Sequence, residues 1–143
     1  MSSNGKSLSS GLEDYIETIY AAKIADEDLK GADLARKLNV SRASVSEALG
    51  KLVTKGLIQY NSYETISLTQ EGVQEAKKVY EKHNILKLFF ESVLGIPSLE
   101  AGENACKIEH IISENILNEI TKFTNFWLDH KEFSKMYTKK NKP

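Results

Sequence analysis

The chain is poor in cysteine, in long apolar runs and in net charge, and each shortage excludes something. A single cysteine, Cys106, rules out an internal disulfide and fits a reducing compartment. No apolar run approaches the roughly 18–20 residues of a membrane span, and the polar stretch Met1 to Ser10 lacks the apolar core of a signal peptide. These absences point to a cytoplasmic protein with no membrane partner. There is no internal repeat, and low complexity is confined to the Ser/Gly/Lys-rich start and the lysine-rich end. The remaining composition, 143 residues with 41% hydrophobic and 27% charged, suits one ordinary domain or two small ones sharing a core.

A net charge of −1 carries no hint of nucleic acid by itself. Its distribution carries more. Residues 11–30 hold Glu13, Asp14, Glu17, Asp26, Glu27 and Asp28 against Lys23 and Lys30. Residues 31–60 reverse the sign, with Arg36, Lys37, Arg42, Lys51 and Lys55 against Asp33 and Glu47. Phosphate contact needs such a local basic patch whatever the total charge, although a solvated mixed-charge surface gives the same count.

Apolar spacing divides the chain into elements. Leu12, Tyr15, Ile16, Ile19 and Tyr20 form a helical stripe over Leu12 to about Ile24. A short helix from Gly31 buries Leu34, Ala35 and Leu38, and the Asn39-Val40 turn follows. Ser41 is a good N-cap for a second helix, which buries Val45, Ala48, Leu49 and Leu52 and ends at Gly56. The opposite face of that helix shows Arg42, Ala43, Ser46 and Lys51, the small and basic groups that a major-groove helix presents. Residues 57–60 and 65–68 read as two short strands around the polar turn Asn61 to Glu64, and a hairpin directly after a helix-turn-helix is a wing. Thr69 then caps a long helix through Val73, Ala76, Tyr80 and His83 to Leu94, which Gly95-Ile96-Pro97 stops. Ser98 caps a further helix that buries Ala105, Ile108, Ile112 and Ile116 and runs to about Ile120. The aromatic stretch from Phe123 to Tyr137 reads as a last helix before a frayed tail.

The fold class expected from this is mainly α. A winged helix-turn-helix DNA-binding domain (residues 1–72) precedes an all-helical domain (residues 73–143). On the recognition helix Arg42 is placed to reach phosphate or a guanine edge, with Ser41, Ala43, Ser44 and Ser46 beside it. Arg36, Lys51 and Lys55 are expected to contact phosphate without sequence preference. A winged helix used for protein contacts is the plainer alternative. Ile85, Leu88, Phe89, Val93 and Leu94 offer more apolar surface than one helix of a small domain buries, and are expected to form a homodimer interface.

A second constellation is Cys106-Lys-Ile-Glu109-His110. Helical positions i, i+3 and i+4 share one face, so a thiol, a carboxylate and an imidazole converge there. These are ligand types that hold first-row transition metals; the plainer reading is a small buried cysteine beside a solvated Glu-His pair. Asp14 and Glu17 pair at i, i+3 off the first apolar stripe. His83 interrupts an apolar stripe, where a satisfied core histidine is the ordinary case.

The segments Glu13-Asp-Tyr-Ile-Glu-Thr-Ile-Tyr20, Tyr80-Glu-Lys-His83, Val93-Leu-Gly-Ile96 and Ala105-Cys-Lys-Ile-Glu-His110, in this order, resemble the diphtheria-toxin-repressor family. That family comprises iron- and manganese-dependent repressors, and the resemblance covers about Leu12 to Ile120. It implies a winged-helix DNA-binding domain, then a helical metal-binding and dimerisation domain, with Asp14, Glu17, His83, Cys106, Glu109 and His110 as ligands. Asp14 and Glu17 look like the manganese branch, whereas Cys106 looks like the iron branch, since the manganese branch commonly has Glu there. Lys87 and Gly102 depart from the iron branch, which has ancillary-site ligands at those positions. The SH3-like C-terminal domain of the longer members is not expected here.

The function implied is a metal-dependent transcriptional repressor, binding palindromic operator DNA as a homodimer and controlling metal-uptake genes. Carboxylates and imidazoles suit Mn(II) and Fe(II), and a thiolate favours the softer Fe(II) or Zn(II). The reading leans to Fe(II) with Mn(II) close behind, while Zn(II), Ni(II) and Co(II) are expected to bind tightly in vitro. Two rivals come from other classes. Cys106-x-x-Glu109-His110 is similar to an inverted zincin motif with its first His replaced, which would make a zinc metallohydrolase. However, six candidate ligands fill a site instead of leaving the open position catalysis needs, so an enzyme is not expected. The other rival is a winged-helix regulator sensing an organic ligand in the aromatic C-terminal region.

Overall fold

A computed structural model of the chain describes residues 8–60 and 65–140, with side chains described to Tyr137. The chain divides into two compact units, Met1–Tyr80 and Glu81–Pro143. The fold is mainly α, with seven α-helices and one two-stranded sheet among the described residues. None of these helices is long and apolar enough to cross a membrane.

The first unit contains α1 (Ser10–Ile24), α2 (Gly31–Leu38), α3 (Arg42–Thr54), β1 (Ile58–Gln59), β2 (Ser67–Leu68) and the start of α4 (Gln70–Leu88). Helix α1 begins two residues before the apolar stripe because Ser9 caps it, its Oγ accepting from the Leu12 amide at 3.2 Å. The stripe is buried as its spacing requires, with Ile16 wholly enclosed. Asn39 takes a left-handed conformation (φ 54°) and turns the chain from α2 into α3. Ser41 caps α3 by accepting from the Ser44 amide at 3.0 Å. Val45, Ala48, Leu49 and Leu52 then point into one core with Leu34 and the α1 stripe. Gly56 follows at φ +73°, the left-handed turn that ends α3 without a Cβ clash.

The two strands are shorter than the sequence suggests and pair antiparallel, Ile58 with Leu68 and Gln59 with Ser67. The expected wing turn, residues 61–64, lies outside the described residues. Thr69 ties the hairpin to α4: its hydroxyl donates to the Gly56 carbonyl at 2.6 Å and accepts from the Gly72 amide at 3.0 Å. Gly72 is required there, because a Cβ at that position would stand 1.9 Å from the Leu57 carbonyl oxygen.

The second unit takes up the remainder of α4, then α5 (Ser98–Ile108), α6 (Glu114–Asp129) and α7 (Lys131–Lys140). Here the elements differ from those the spacing predicts in three places. The helix expected to reach Leu94 is α-helical only to Leu88; Phe89–Val93 form a wider π-helical turn, closed by the Leu94 amide on the Phe89 carbonyl. Pro97, not Ser98, is the N-cap of α5. The single helix expected from Ser98 to Ile120 is two helices, because Ser113 caps a fresh start, its Oγ accepting from the Ile116 amide at 3.2 Å. The isoleucine spacing that suggested continuity is therefore not one buried stripe: Ile116 is 53% exposed. The last aromatic stretch is helical, as expected, but is shared between α6 and α7 across a break at His130. Leu86, Ala105 and Leu117 form a small core, with Ile85, Phe90, Ile108, Ile112 and Ile120 packed on it.

Candidate metal centre and nucleic-acid interface

In the second unit four of the predicted metal ligands are on neighbouring elements. His83 stands on α4, Cys106 on α5, and Glu109 and His110 on the turn that leaves α5. Glu109 keeps helical dihedrals (φ −56°, ψ −28°), and its amide donates to the Ala105 carbonyl at 2.9 Å. The helical face therefore persists one turn past the end of α5, which keeps Cys106, Glu109 and His110 at i, i+3, i+4. A sulfur, a carboxylate oxygen and a ring nitrogen from these three all lie within 4.8 Å of one another.

Glu109 joins the set. Its side chain is wholly buried, although an isolated carboxylate is among the costliest groups to enclose. One oxygen, Oε2, accepts a hydrogen bond from His83 Nδ1 at 2.9 Å, and Oε1 lies 3.7 Å from His110 Nε2. This contact sets the His83 ring against the Glu109 carboxylate, and imidazole is a common metal ligand through either ring nitrogen. A buried carboxylate between two imidazoles and beside a thiol is a donor set that fits a divalent cation. His83 is not an unexplained interruption of an apolar stripe but a partner of this carboxylate. An open groove beside the cluster is lined by His83, Lys87, Ser98, Leu99, Gly102, Glu103, Cys106 and Lys107. Ser98 and Lys107 were not singled out from the sequence as site residues, although Ser98-Gly102-Cys106 and Leu99-Glu103-Lys107 repeat every four residues along α5 and so share one face.

Asp14 and Glu17, the remaining expected ligands, are on α1 in the first unit, both half-buried and one helical turn apart. The predicted DNA-contacting residues are in the same unit. Ser41, Arg42, Ala43, Ser44, Ser46, Lys51 and Lys55 are all exposed on or beside α3, and Arg36 is exposed on α2. Arg36 pairs with Asp33 at 2.6 Å and Lys51 with Glu47 at 3.3 Å, exposed pairs that are worth little and are readily given up. Ser41 and Ser44 also bond to each other, Oγ to Oγ, at 2.9 Å. Asp33 accepts from the Lys30 amide and from Arg36, which together hold its carboxyl below the usual range. Of the expected dimer residues, Leu88 and Leu94 are exposed, Ile85 and Phe89 half-buried, and Val93 buried within its own chain.

A helix-turn-helix with a wing, joined to a helical unit carrying a thiol–carboxylate–imidazole cluster, defines a metal-responsive DNA-binding protein. Two family descriptions match the chain in sequence order. Residues 7–66 match the iron dependent repressor N-terminal DNA binding domain. Residues 69–132 match the iron dependent repressor metal binding and dimerisation domain. The chain belongs to the iron-dependent repressor family, whose members are metal-dependent transcriptional repressors and not enzymes. An uncharacterized HTH-type transcriptional regulator of Methanocaldococcus jannaschii is 37% identical over 85% of this chain and 98% of its own length. The HTH-type transcriptional regulator MntR of Listeria welshimeri is 31% identical over 83% of each. Among solved structures, the manganese regulator SloR is 30% identical with a TM-score of 0.71, covering 80% of this chain. The chain spans about half the length of that structure, 54%.

Proposed function

We propose that this protein is a cytoplasmic homodimeric repressor that binds a palindromic operator when Fe(II) or Mn(II) is bound, and so controls metal-uptake genes. The observation that carries this reading is the buried Glu109 carboxylate held between His83 and His110 beside Cys106. In the proposed site these four residues hold the metal, and Asp14 and Glu17 complete the set from α1. The side-by-side i, i+3 spacing of the two α1 carboxylates supports that addition. In function the division falls near Gly72, with DNA contact before it and metal binding and dimerisation after it.

The bound ion supplies a positive charge that several anionic and imidazole ligands satisfy together, and that none of them satisfies alone. If α1 carries two ligands and the helical unit four, metal favours the arrangement in which all six converge. The difference in metal affinity between that arrangement and the others is the whole switching energy, typically about 1–3 kcal/mol. Two-fold symmetry in a dimer then implies half-sites about one helical turn apart, or a multiple of it. The thiolate of Cys106 supports Fe(II), and the likeness to manganese regulators supports Mn(II).

The test is operator binding followed by fluorescence anisotropy during anaerobic titration with Fe(II) or Mn(II). Wild type is expected to gain affinity with metal, while Cys106→Ala and Asp14→Ala do not. A normal response in both variants would overturn the proposed ligand set.

A further inference from the structure

The recognition helix carries one residue whose charge is wrong for a phosphate-facing surface. Val45, Ala48, Leu49 and Leu52 are buried, which fixes the outward face of α3. Directly opposite them, at spacings of four, three and four, run Ala43, Glu47, Gly50 and Thr54, all exposed. Arg42, Ser44, Ser46 and Lys51 stand toward the two sides of this line. Of the central four, Ala43 and Gly50 are too short to reach far from the helix. The hydroxyl of Thr54 is turned back onto the Gly50 carbonyl at 2.9 Å. Glu47 is the one long polar side chain on the central line, and it is 72% exposed.

A carboxylate in this position is repelled by phosphates, so it adds nothing to general affinity. It has a different use in the floor of the major groove. An ionised carboxylate only accepts hydrogen bonds, and the base edge that offers a donor without a neighbouring acceptor is cytosine, through its N4 amino group. Adenine places an acceptor, N7, beside its N6 amino donor, which suits a carboxamide better than a carboxylate. Ala43 and Gly50, on either side of Glu47 along that line, carry no bulk that would hold the helix off a groove floor. Lys51, 3.3 Å from Glu47 in the free protein, neutralises the carboxylate on the way in and is then free to turn to a phosphate.

We infer that Glu47 determines operator specificity by accepting from the N4 amino group of one cytosine in each half-site. This rests on the operator-binding reading above and extends it to a residue which that reading left unused. The experiment is selection of bound sequences from a randomised duplex pool by metal-loaded wild type, Glu47→Gln and Glu47→Ala, followed by affinity measurement at fixed salt. Wild type is expected to require one cytosine per half-site, its replacement costing roughly 5- to 150-fold per half-site. Glu47→Gln is expected to move the preference at that position toward adenine. Glu47→Ala is expected to lose the preference there and keep it elsewhere. Selective binding by wild type with the same base preferences in Glu47→Ala overturns this inference alone. A wild type that selects no sequence in the presence of metal overturns the operator reading and the inference together.

Discussion

The two units of this chain enclose different things. The first buries aliphatic and aromatic residues from its helices and from β1, among them Ile16, Leu34, Leu49 and Leu52, and none of its described charged residues is fully enclosed. The second has a core built around Leu86, Ala105 and Leu117, yet it encloses the carboxylate of Glu109. Apolar exposure divides the same way: among the described residues, eleven of the fourteen exposed large hydrophobics fall in the second unit, from Leu88 to Tyr137. A unit that encloses a charge and exposes apolar surface is not built for stability in isolation. Its residues suit a cation and a partner, whereas the first unit presents most of its expected DNA-contacting side chains on or beside one exposed helix, α3.

Substitutions of opposite character should sharpen this contrast. In the first unit, Leu52→Ala removes a wholly buried side chain and is expected to cost about 2–5 kcal/mol, read from the urea midpoint by circular dichroism. In the second unit, Glu109→Leu replaces an enclosed charge by an apolar group of similar size. The metal-free protein should then stay about as stable as wild type, because the cost of enclosing the carboxylate is gone and His83, 21% exposed, can turn its freed ring N–H to water. The same variant should lose the stabilisation by metal, about 2.7 kcal/mol at one hundred times Kd, in thermal unfolding with Mn(II). A marked loss of metal-free stability in Glu109→Leu would place the residue among ordinary structural pairs. The smallest effect belongs to Asp33, whose carboxyl accepts from the Lys30 amide at the start of α2. Its pKa is lowered on folding, so its contribution is present above the usual aspartate pKa and disappears as pH falls through the folded value. The small difference in Tm between wild type and Asp33→Asn should therefore close in acid.

Much of the first unit was legible because its signals are local. Ser41, Gly56 and the Val45–Leu52 spacing each act within one helix, and each formed as the spacing required. The second unit was less legible because its decisive signals are not in the apolar period. Ile108, Ile112 and Ile116 repeat every four residues, but a serine cap at Ser113 breaks the helix between them. Nothing in Phe89–Val93 announces a π-helical turn, which depends on how the chain must leave α4 before the stop at Gly95. The triad at Cys106, Glu109 and His110 was visible from spacing. The enclosure of Glu109 and its bond to His83 were not, since they arise from residues 26 positions apart.

Linkage offers the most direct test of a metal switch acting on a DNA-binding platform, because it must work in both directions. Mn(II) affinity would be measured by calorimetry on the wild-type protein, first alone and then saturated with its operator duplex. The account predicts that operator tightens metal binding by the same factor by which metal tightens operator binding, on the order of 5- to 150-fold. Equal metal affinity with and without operator would contradict it.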